Sequence, residues 1–403
     1  MRILNVTQSY APFFEFGGPP AKVRALAEGM ANRGHRVAVL TADWGIEKRL
    51  KDLPAEPPAQ PGPFGRTQTV NGVAAVYLPT WLHFRAASWN PALGRYLHAR
   101  LADFDVVHIY GLYDFLGIGV AAECRKRDIP YIVEPIGMFV PIVRNIRLKW
   151  LYHRVWGRHL LMGAGVIIAT AEQERDEFVA GGIDPGKIRL RRNGVEMPAT
   201  LPARGSFRER LKIPTQDKLI LFLGRLSQKK SPDLLLRAFT KLQQTPDTWG
   251  AQLHLAFVGP DEAGMEAKLR NQAQSKGIST RVHFCGPLSG EAKWQAYRDA
   301  DVFVLPSQNE NFGNTAAESV VAGTPVIVTD QCGVAPLLRD VAGLVIGHDE
   351  GELAAALLRV LFDEQLHEKL REGCRLAATA MNWEEPLREM EMIYSLLASV
   401  RQT

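Results

Sequence analysis

"DVFVLPSQNENFGNTAAESVVAGTPVIVTD", residues 301 to 330, reads as one repeat of a parallel sheet. "VFVL" is a short uninterrupted apolar run, which suits a strand buried on both faces. "FGNTAAESVVAG" then starts a helix near Asn314 and stops it at Gly323, and "PVIVTD" is the next strand. Two carboxylates flank the turn at Gly313: Glu310 in the loop leaving the first strand, and Glu318 about one turn inside the helix. Open parallel sheets bind ligands outside the carboxyl ends of their strands. A helix start adds unpaired N–H donors at the positive end of the macrodipole, suited to an anion, while acids beside it accept from hydroxyls. A sugar joined to a diphosphate offers both groups.

The same alternation runs through the whole chain. "RILNVT", "RVAVLTA", "VAAVYLP", "DVVHIY", "PYIVEP" and "AGVIIATA" precede residue 172, and "KLILFLG", "QLHLAFVG", "RVHFCG", "DVFVLP", "PVIVTD" and "GLVIG" follow it, with helical stretches between. This predicts an α/β protein of two doubly wound, Rossmann-like domains facing across a cleft, as 403 residues exceed what one core usually supports. The expected boundaries are an amino-terminal domain over 1–192, a linker over 193–207 where Asn193-Gly194 and two prolines break any element, a second domain over 208–381, and a terminal helix over 382–403 with Leu387, Met390, Ile393, Tyr394 and Leu397 at helical spacing. The proline-rich stretch Lys51 to Gly65 reads as a surface loop.

Composition narrows the class. Apolar residues are 46% and charged residues 23%, ordinary for a globular protein, and a net charge of +5 does not call for nucleic acid. Cys124, Cys285, Cys332 and Cys374 show no metal or redox spacing, which fits a reducing compartment. The opening residues read as a strand entering a loop rather than a targeting segment, and no apolar run reaches the ~20 residues of a spanning helix. A cytoplasmic protein is expected, or one peripheral on the inner face of the cytoplasmic membrane. The stretch 144–159 motivates the second option: Arg144, Arg147, Lys149, Arg154 and Arg158 interleave with Trp150, Tyr152 and Trp156, a pattern that can lie on anionic lipid.

Further chemistry sits at other strand ends. In "LGRLSQKKSPDLLLRAF" a strand ends at Gly224, Arg225 follows, and Lys229 and Lys230 precede a helix expected to be capped by Ser231. Cations there can neutralise a departing diphosphate. Gly17-Gly18 stands between the first strand and an amphipathic helix, where backbone can approach a phosphate, and its spacing differs from the dinucleotide fingerprint. His108 lies near the carboxyl end of "DVVHIY", within reach of a sugar hydroxyl or the reacting centre. Asp103 and Asp105 lie at that strand's amino end, away from any cleft, so they are not read as a metal site.

Together these segments resemble the retaining, family 4 (group 1) glycosyltransferases of GT-B fold, and in particular members that make bacterial surface polysaccharides. Pro306-Ser307, Glu310-Asn311-Phe312-Gly313, Glu318 and Gly323-Thr324-Pro325-Val326 match the family's double-Glu motif in order, with Asn311 in place of the commoner glycine. The resemblance implies that Glu310 contacts the donor sugar, Glu318 the nucleotide ribose, and the backbone of Phe312, Gly313, Asn314 and Thr315 the sugar and diphosphate. It selects Lys230 over Lys229 as partner of Arg225, and implies that Gly17, Gly18, Gly224, Gly259, Gly286 and Leu288 bind the donor and that His108 is catalytic. "EPIGMF" departs from the family's usual His-Gly, which makes Glu134 and Met138 candidates to face the acceptor. The implied partners are a nucleotide sugar and a glycan or lipid-linked acceptor, with no cofactor and no metal. The rivals are a nucleotide-sugar epimerase or hydrolase of the same fold, a non-catalytic two-lobed sugar-binding protein, and, disfavoured by the absent fingerprint, a nicotinamide dehydrogenase.

Overall fold

Short apolar strands that find partners on both edges must hide both faces, and the chain does this twice. The computed structural model describes residues 1–51, 56–84, 87–140, 156–245 and 252–401. Its contacts divide the chain into two units, Met1–Gly194 with Trp383–Thr403, and Val195–Asn382.

The first unit contains β1 (Arg2–Val6), β2 (Arg36–Ala42), β3 (Gln60–Gly62), β4 (Gly65–Val70), β5 (Val73–Leu78), β6 (Leu82–Phe84), β7 (Ala87–Trp89), β8 (Val106–Tyr110), β9 (Tyr131–Glu134), β10 (Val166–Ala169) and β11 (Ile188–Leu190). Its main sheet runs β11-β10-β9-β8-β1-β2-β5-β4-β3, parallel from β11 to β5 and antiparallel beyond, while β6 and β7 form a separate hairpin. Successive residues alternate between two cores, as a period of two requires. Leu4, Val6, Val107 and Ile109 face one, and Ile3 and Val106 face the other. The second core is closed by α1 (Gly18–Asn32), through Val23, Leu26 and Met30, and by the terminal helix, through Leu387, Met390, Tyr394 and Leu397.

The second unit contains β12 (Lys218–Leu223), β13 (Leu253–Val258), β14 (Val282–Phe284), β15 (Val302–Leu305), β16 (Val326–Thr329) and β17 (Gly343–Ile346), in the order β14-β13-β12-β15-β16-β17 with every pair parallel. From β12 the chain winds outward through β13 and β14, then returns to lay β15 on the other side of β12. The loops after β12 and β15 therefore leave in opposite directions and open a crevice between them, the place where doubly wound sheets take ligands. Around this sheet lie α2 (Pro232–Gln243), α3 (Gly290–Asp299) and α4 (Asn314–Val321). Leu235, Leu236 and Phe239 of α2 are fully buried, each burial stabilising by about 1.5–3 kcal/mol.

Three expectations are corrected. The proline-rich stretch is not loop throughout: Gln60–Gly62 pairs antiparallel with Gly65–Val70 at the sheet's edge, where Pro61 needs no donor on its outer side. Ser231 does not cap α2 with its side chain. It sits in the left-handed region at φ 48°, and its hydroxyl bonds the Gln228 carbonyl at 3.3 Å and His348 Nε2 at 2.9 Å. The expected linker also runs into helix, since Ser206–Leu211 is helical and its start is held by the Asp299 carboxylate, which accepts from the Gly205 and Phe207 N–H groups.

Gly259, at the exit of β13, shows how tightly the strand ends are stacked. Its φ is 141°, and a Cβ there would stand 2.0 Å from the Gly224 carbonyl oxygen. Gly259→Ala is expected to cost about 2–4 kcal/mol of stability through this backbone clash, read from urea or thermal unfolding. A cost below about 0.5 kcal/mol would show that the stack yields.

Candidate functional site

The loops after β12 and β15 carry the charges. Gly224 follows β12 with its N–H bonded to the Val258 carbonyl at 2.8 Å, and Lys230 folds back over it, Nζ lying 3.5 Å from where a glycine Cβ would be. A single helical turn, Gln228–Lys230, makes that return. Gln308 N–H bonds the Lys229 carbonyl at 2.9 Å and so ties this loop to the one leaving β15. Lys230 Nζ then donates to Glu310 Oε2 at 2.9 Å, with both side chains about one-fifth exposed. Burial pushes the Glu310 carboxyl up, but Lys230 and the nearby Lys229 outweigh it and hold the group below the usual carboxylate range. Arg225 is held more loosely: it is 44% exposed, and its nearest acid is the equally open Glu262 at 3.7 Å.

Glu310 is fixed through its backbone, its N–H bonding the Gln331 carbonyl at 2.9 Å and its carbonyl accepting from Gly333 at 3.0 Å. Phe312 is buried, and Gly313 at φ 99° turns the chain into α4, a conformation that favours glycine. Asn311 Oδ1 and Thr315 Oγ1 are buried here without a hydrogen-bond partner, atoms that a ligand could satisfy. Glu318 accepts from Lys293 Nζ at 2.9 Å and from the Tyr297 hydroxyl at 2.8 Å. Gly259 N–H bonds the Gly286 carbonyl at 2.8 Å, so the exits of β12, β13 and β14 form a continuous side-chain-free floor, with Leu288 half-buried beyond it. Thus the structure brings Gly224, Lys230 and Glu310 into contact and places Arg225, Gly259, Gly286 and the start of α4 around them. Among the described residues, no cluster of His, Cys, Asp or Glu could hold a metal ion.

In the first unit Gly17, at φ 100°, precedes α1, and both Gly17 and Gly18 are exposed. Met138 packs over Gly111 at the end of β8, where its carbonyl accepts from the Tyr113 hydroxyl at 2.9 Å. Asp105 stands just before β8 and pairs with Arg2 at 2.9 Å. Residues 144–155 of the basic aromatic stretch lie outside the described residues, while Trp156 and Arg158 are exposed. Among the described residues, no helix is long and apolar enough to cross a membrane.

Two family models match, "Glycosyl transferases group 1" over residues 203–376 and "Glycosyl transferase 4-like domain" over residues 17–194. The two halves of the chain thus each match a glycosyltransferase domain family, and together the matches span most of its length. It is 32% identical over 246 residues to a D-inositol 3-phosphate glycosyltransferase of Thermomonospora curvata, a match covering 58% of this chain and 57% of that relative. The chain thus spans little more than half the length of the curated relatives it matches. Solved structures share the GT-B fold over almost the full length. Sucrose-phosphate synthase from Thermosynechococcus elongatus superposes with a TM-score of 0.74 at 21% identity, covering 99% of both chains. Anabaena HepE, solved with UDP and glucose, gives 0.75 at 17% identity, covering 98% of this chain and 99% of that one.

Two residues expected at the acceptor side or the reacting centre, His108 and Glu134, are buried. His108 is fully buried: its Nδ1 is 2.8 Å from the Tyr394 hydroxyl, its ring stacks on Tyr110 at 4.0 Å, and burial pushes its pKa down to about 4. The terminal helix covers the β8 face on which it sits. Glu134 is not open to solvent either. It is fully buried between Arg191, whose Nη2 donates at 2.6 Å, and Lys22 of α1, with His108 Nε2 at 3.5 Å. Burial alone would raise its pKa, but the two cations hold the carboxylate far below its usual range, while burial pushes Lys22 down to about 8. Lys22 and Arg191 were missed in the sequence because nothing in their local pattern separates a buried cation from a solvated one. Lys293 and Tyr297 were missed too; their spacing of four residues puts them on one helix face, but nothing names Glu318 as their target. Glu134→Ala leaves two buried cations without their anion, and is expected to cost about 3–5 kcal/mol in urea unfolding. A loss under ~1 kcal/mol would mean that water compensates them.

Proposed function

We propose that the chain transfers a sugar from a nucleotide-sugar donor to an acceptor hydroxyl with retention at the anomeric carbon. The observation that carries this reading is the Lys230–Glu310 pair at the point where the second unit's sheet reverses its winding, beside the first turn of α4. The diphosphate takes the helix start together with Lys230 and the open Arg225, whose charge is available because Glu262 holds it only weakly. Glu310, released by Lys230 as the phosphates arrive, accepts from the sugar's hydroxyls. Glu318 takes the ribose, and the glycine floor at Gly224, Gly259 and Gly286 lets the nucleotide lie against backbone. HepE, a structural neighbour, was solved with UDP and glucose, which favours a donor of this kind.

In this reading the protein supplies charge stabilisation and positioning, and the leaving phosphate helps deprotonate the acceptor on the same face without a metal. His108 is buried away from solvent and takes no part in contacting the substrate. The acceptor is a glycan or lipid-linked oligosaccharide in polysaccharide assembly, handled in the cytoplasm or at the inner face of its membrane. Sequence resemblance and the basic aromatic stretch support that choice.

Screening nucleotide sugars by thermal shift should find a donor that stabilises the chain, by about 2.7 kcal/mol at a hundred times its Kd. With that donor and a pool of membrane glycans, Lys230→Ala is expected to slow transfer about 10²–10³-fold, comparable to removing one preorganised charge donor from an acyl-transfer site. Near-normal turnover in that variant rejects the assignment. Product formed at full rate without acceptor points to hydrolysis or epimerisation instead.

A further inference from the structure

Strands β6 and β7 form a hairpin apart from both main sheets, on the chain that leaves the carboxyl end of β5. Its base is tied down. Asn90 is buried, with its amide nitrogen within 3.2 Å of the Leu78 and Pro79 carbonyls and of Thr80 Oγ1, and Trp81 N–H bonds the Trp89 carbonyl at 3.1 Å. Ser88 is buried too. Its hydroxyl is 2.8 Å from Asn90 Oδ1 and 3.4 Å from the carboxylate of Asp114, the buried acid that caps the helix Phe115–Lys126.

A β-strand sends successive side chains to opposite faces. Here the polar Ser88 is turned in while its neighbour Trp89 is turned out, opposite Leu82 in the register. Trp81, Leu82 and Trp89 are 76%, 71% and 62% exposed. Single exposed apolar residues are ordinary, but three on one firmly based hairpin, two of them tryptophan, are not. Phe115, the residue after Asp114, is half-exposed as well, and its ring meets the exposed Trp156 edge-on at 6.0 Å.

The surrounding sequence carries one sign of charge. From Pro57 to Ala102 and from Val140 to Ala171 there is no Asp or Glu, and these two stretches hold nine of the chain's 48 Lys and Arg. Arg85 lies between β6 and β7 in sequence, Arg95 is exposed on the helix Leu93–Arg100 that follows, and Arg158 is exposed two residues after Trp156. The acid that the hairpin does touch, Asp114, shows no charge outward. Tryptophan among cations suits the headgroup level of an anionic bilayer, where aromatic rings collect and basic side chains meet lipid phosphates. A second copy of the chain would set arginine against arginine, and a glycan would gain nothing from Leu82.

We propose that the β6–β7 hairpin docks the chain on an anionic bilayer, Trp81, Leu82 and Trp89 entering the headgroup layer while the arginines of the acid-free stretches meet the lipid phosphates. This assigns the apolar part of the contact to an element outside 144–159, and it does not depend on the nucleotide-sugar reading.

The test is co-sedimentation of the full chain with vesicles, without donor or acceptor. The wild type is expected to sediment with phosphatidylcholine vesicles containing roughly one-third phosphatidylglycerol, and less as salt is raised or the anionic lipid is left out. Trp81→Ala/Trp89→Ala should weaken that partition about ten- to a hundredfold, while Trp81→Phe/Trp89→Phe keeps most of it. Both variants should unfold at the wild-type temperature, because the replaced side chains are exposed. A wild type that stays in the supernatant overturns the proposal, as does equal binding to neutral and anionic vesicles. An alanine variant that sediments like the wild type overturns it too, since charge alone then suffices. A wild type that is dimeric without lipid, and monomeric once the tryptophans are replaced by alanine, gives the surface to a second copy instead.

Discussion

In a doubly wound parallel sheet the chain winds outward from its first strand in one direction, then returns and winds the other way, and at that reversal two neighbouring strands send their loops apart. In the second unit the reversal lies between β12 and β15, which are hydrogen-bonded neighbours at Ile220–Val302 and Leu221–Phe303. Gly224 to Lys230 leaves one strand and Pro306 to Glu310 leaves the other. Opposite charges that are 80 residues apart in sequence meet there because the two loops leave neighbouring strands. The remaining parts of the site, from the glycine floor to the start of α4, are arranged around this gap.

Two clusters of charge in the molecule do different work, and burial tells them apart. Lys22, Glu134 and Arg191 exclude solvent, so their attraction must offset a large desolvation cost, and Arg191 still leaves Nε and Nη1 without partners. Such a cluster joins α1, β9 and the chain beyond β11 in one arrangement, and cannot part without exposing bare charge. Lys230 and Glu310 are each about one-fifth exposed, within reach of water, and can separate at modest cost. The first cluster is therefore suited to holding its unit in shape, and the second to exchanging partners with something that arrives.

Much of this was legible beforehand. "VFVL" and "VIVT" announce strands buried on both faces, and Gly313 marks the turn into α4, because these signals are local. The double-Glu motif is local too, and the fold sets its first member, Glu310, against Lys230. His108 and Glu134 misled because a polar residue near the carboxyl end of a strand reads alike whether it faces solvent or a covering helix. Which of the two holds here depends on Tyr394 and Arg191, which lie 286 and 57 residues further along. Ser231 looked like a cap on composition alone, yet its backbone turns left-handed to bring Lys230 inward, and the hydroxyl goes to His348. Gly259 was visible as a glycine, but not the reason for it, a carbonyl on the adjacent strand.

The engagement of Lys230 by Glu310, beside an Arg225 that is barely held, has a consequence for selectivity among the many small anions of a cell. With its inner cation already neutralised, the crevice offers little to inorganic phosphate alone, which would have to displace a carboxylate and leave it with nothing to accept from. A molecule bearing both phosphate and hydroxyls compensates each group it disturbs, anion for anion and proton donor for ammonium. Self-neutralisation of this kind favours a visitor that brings both kinds of group over one that brings a single kind.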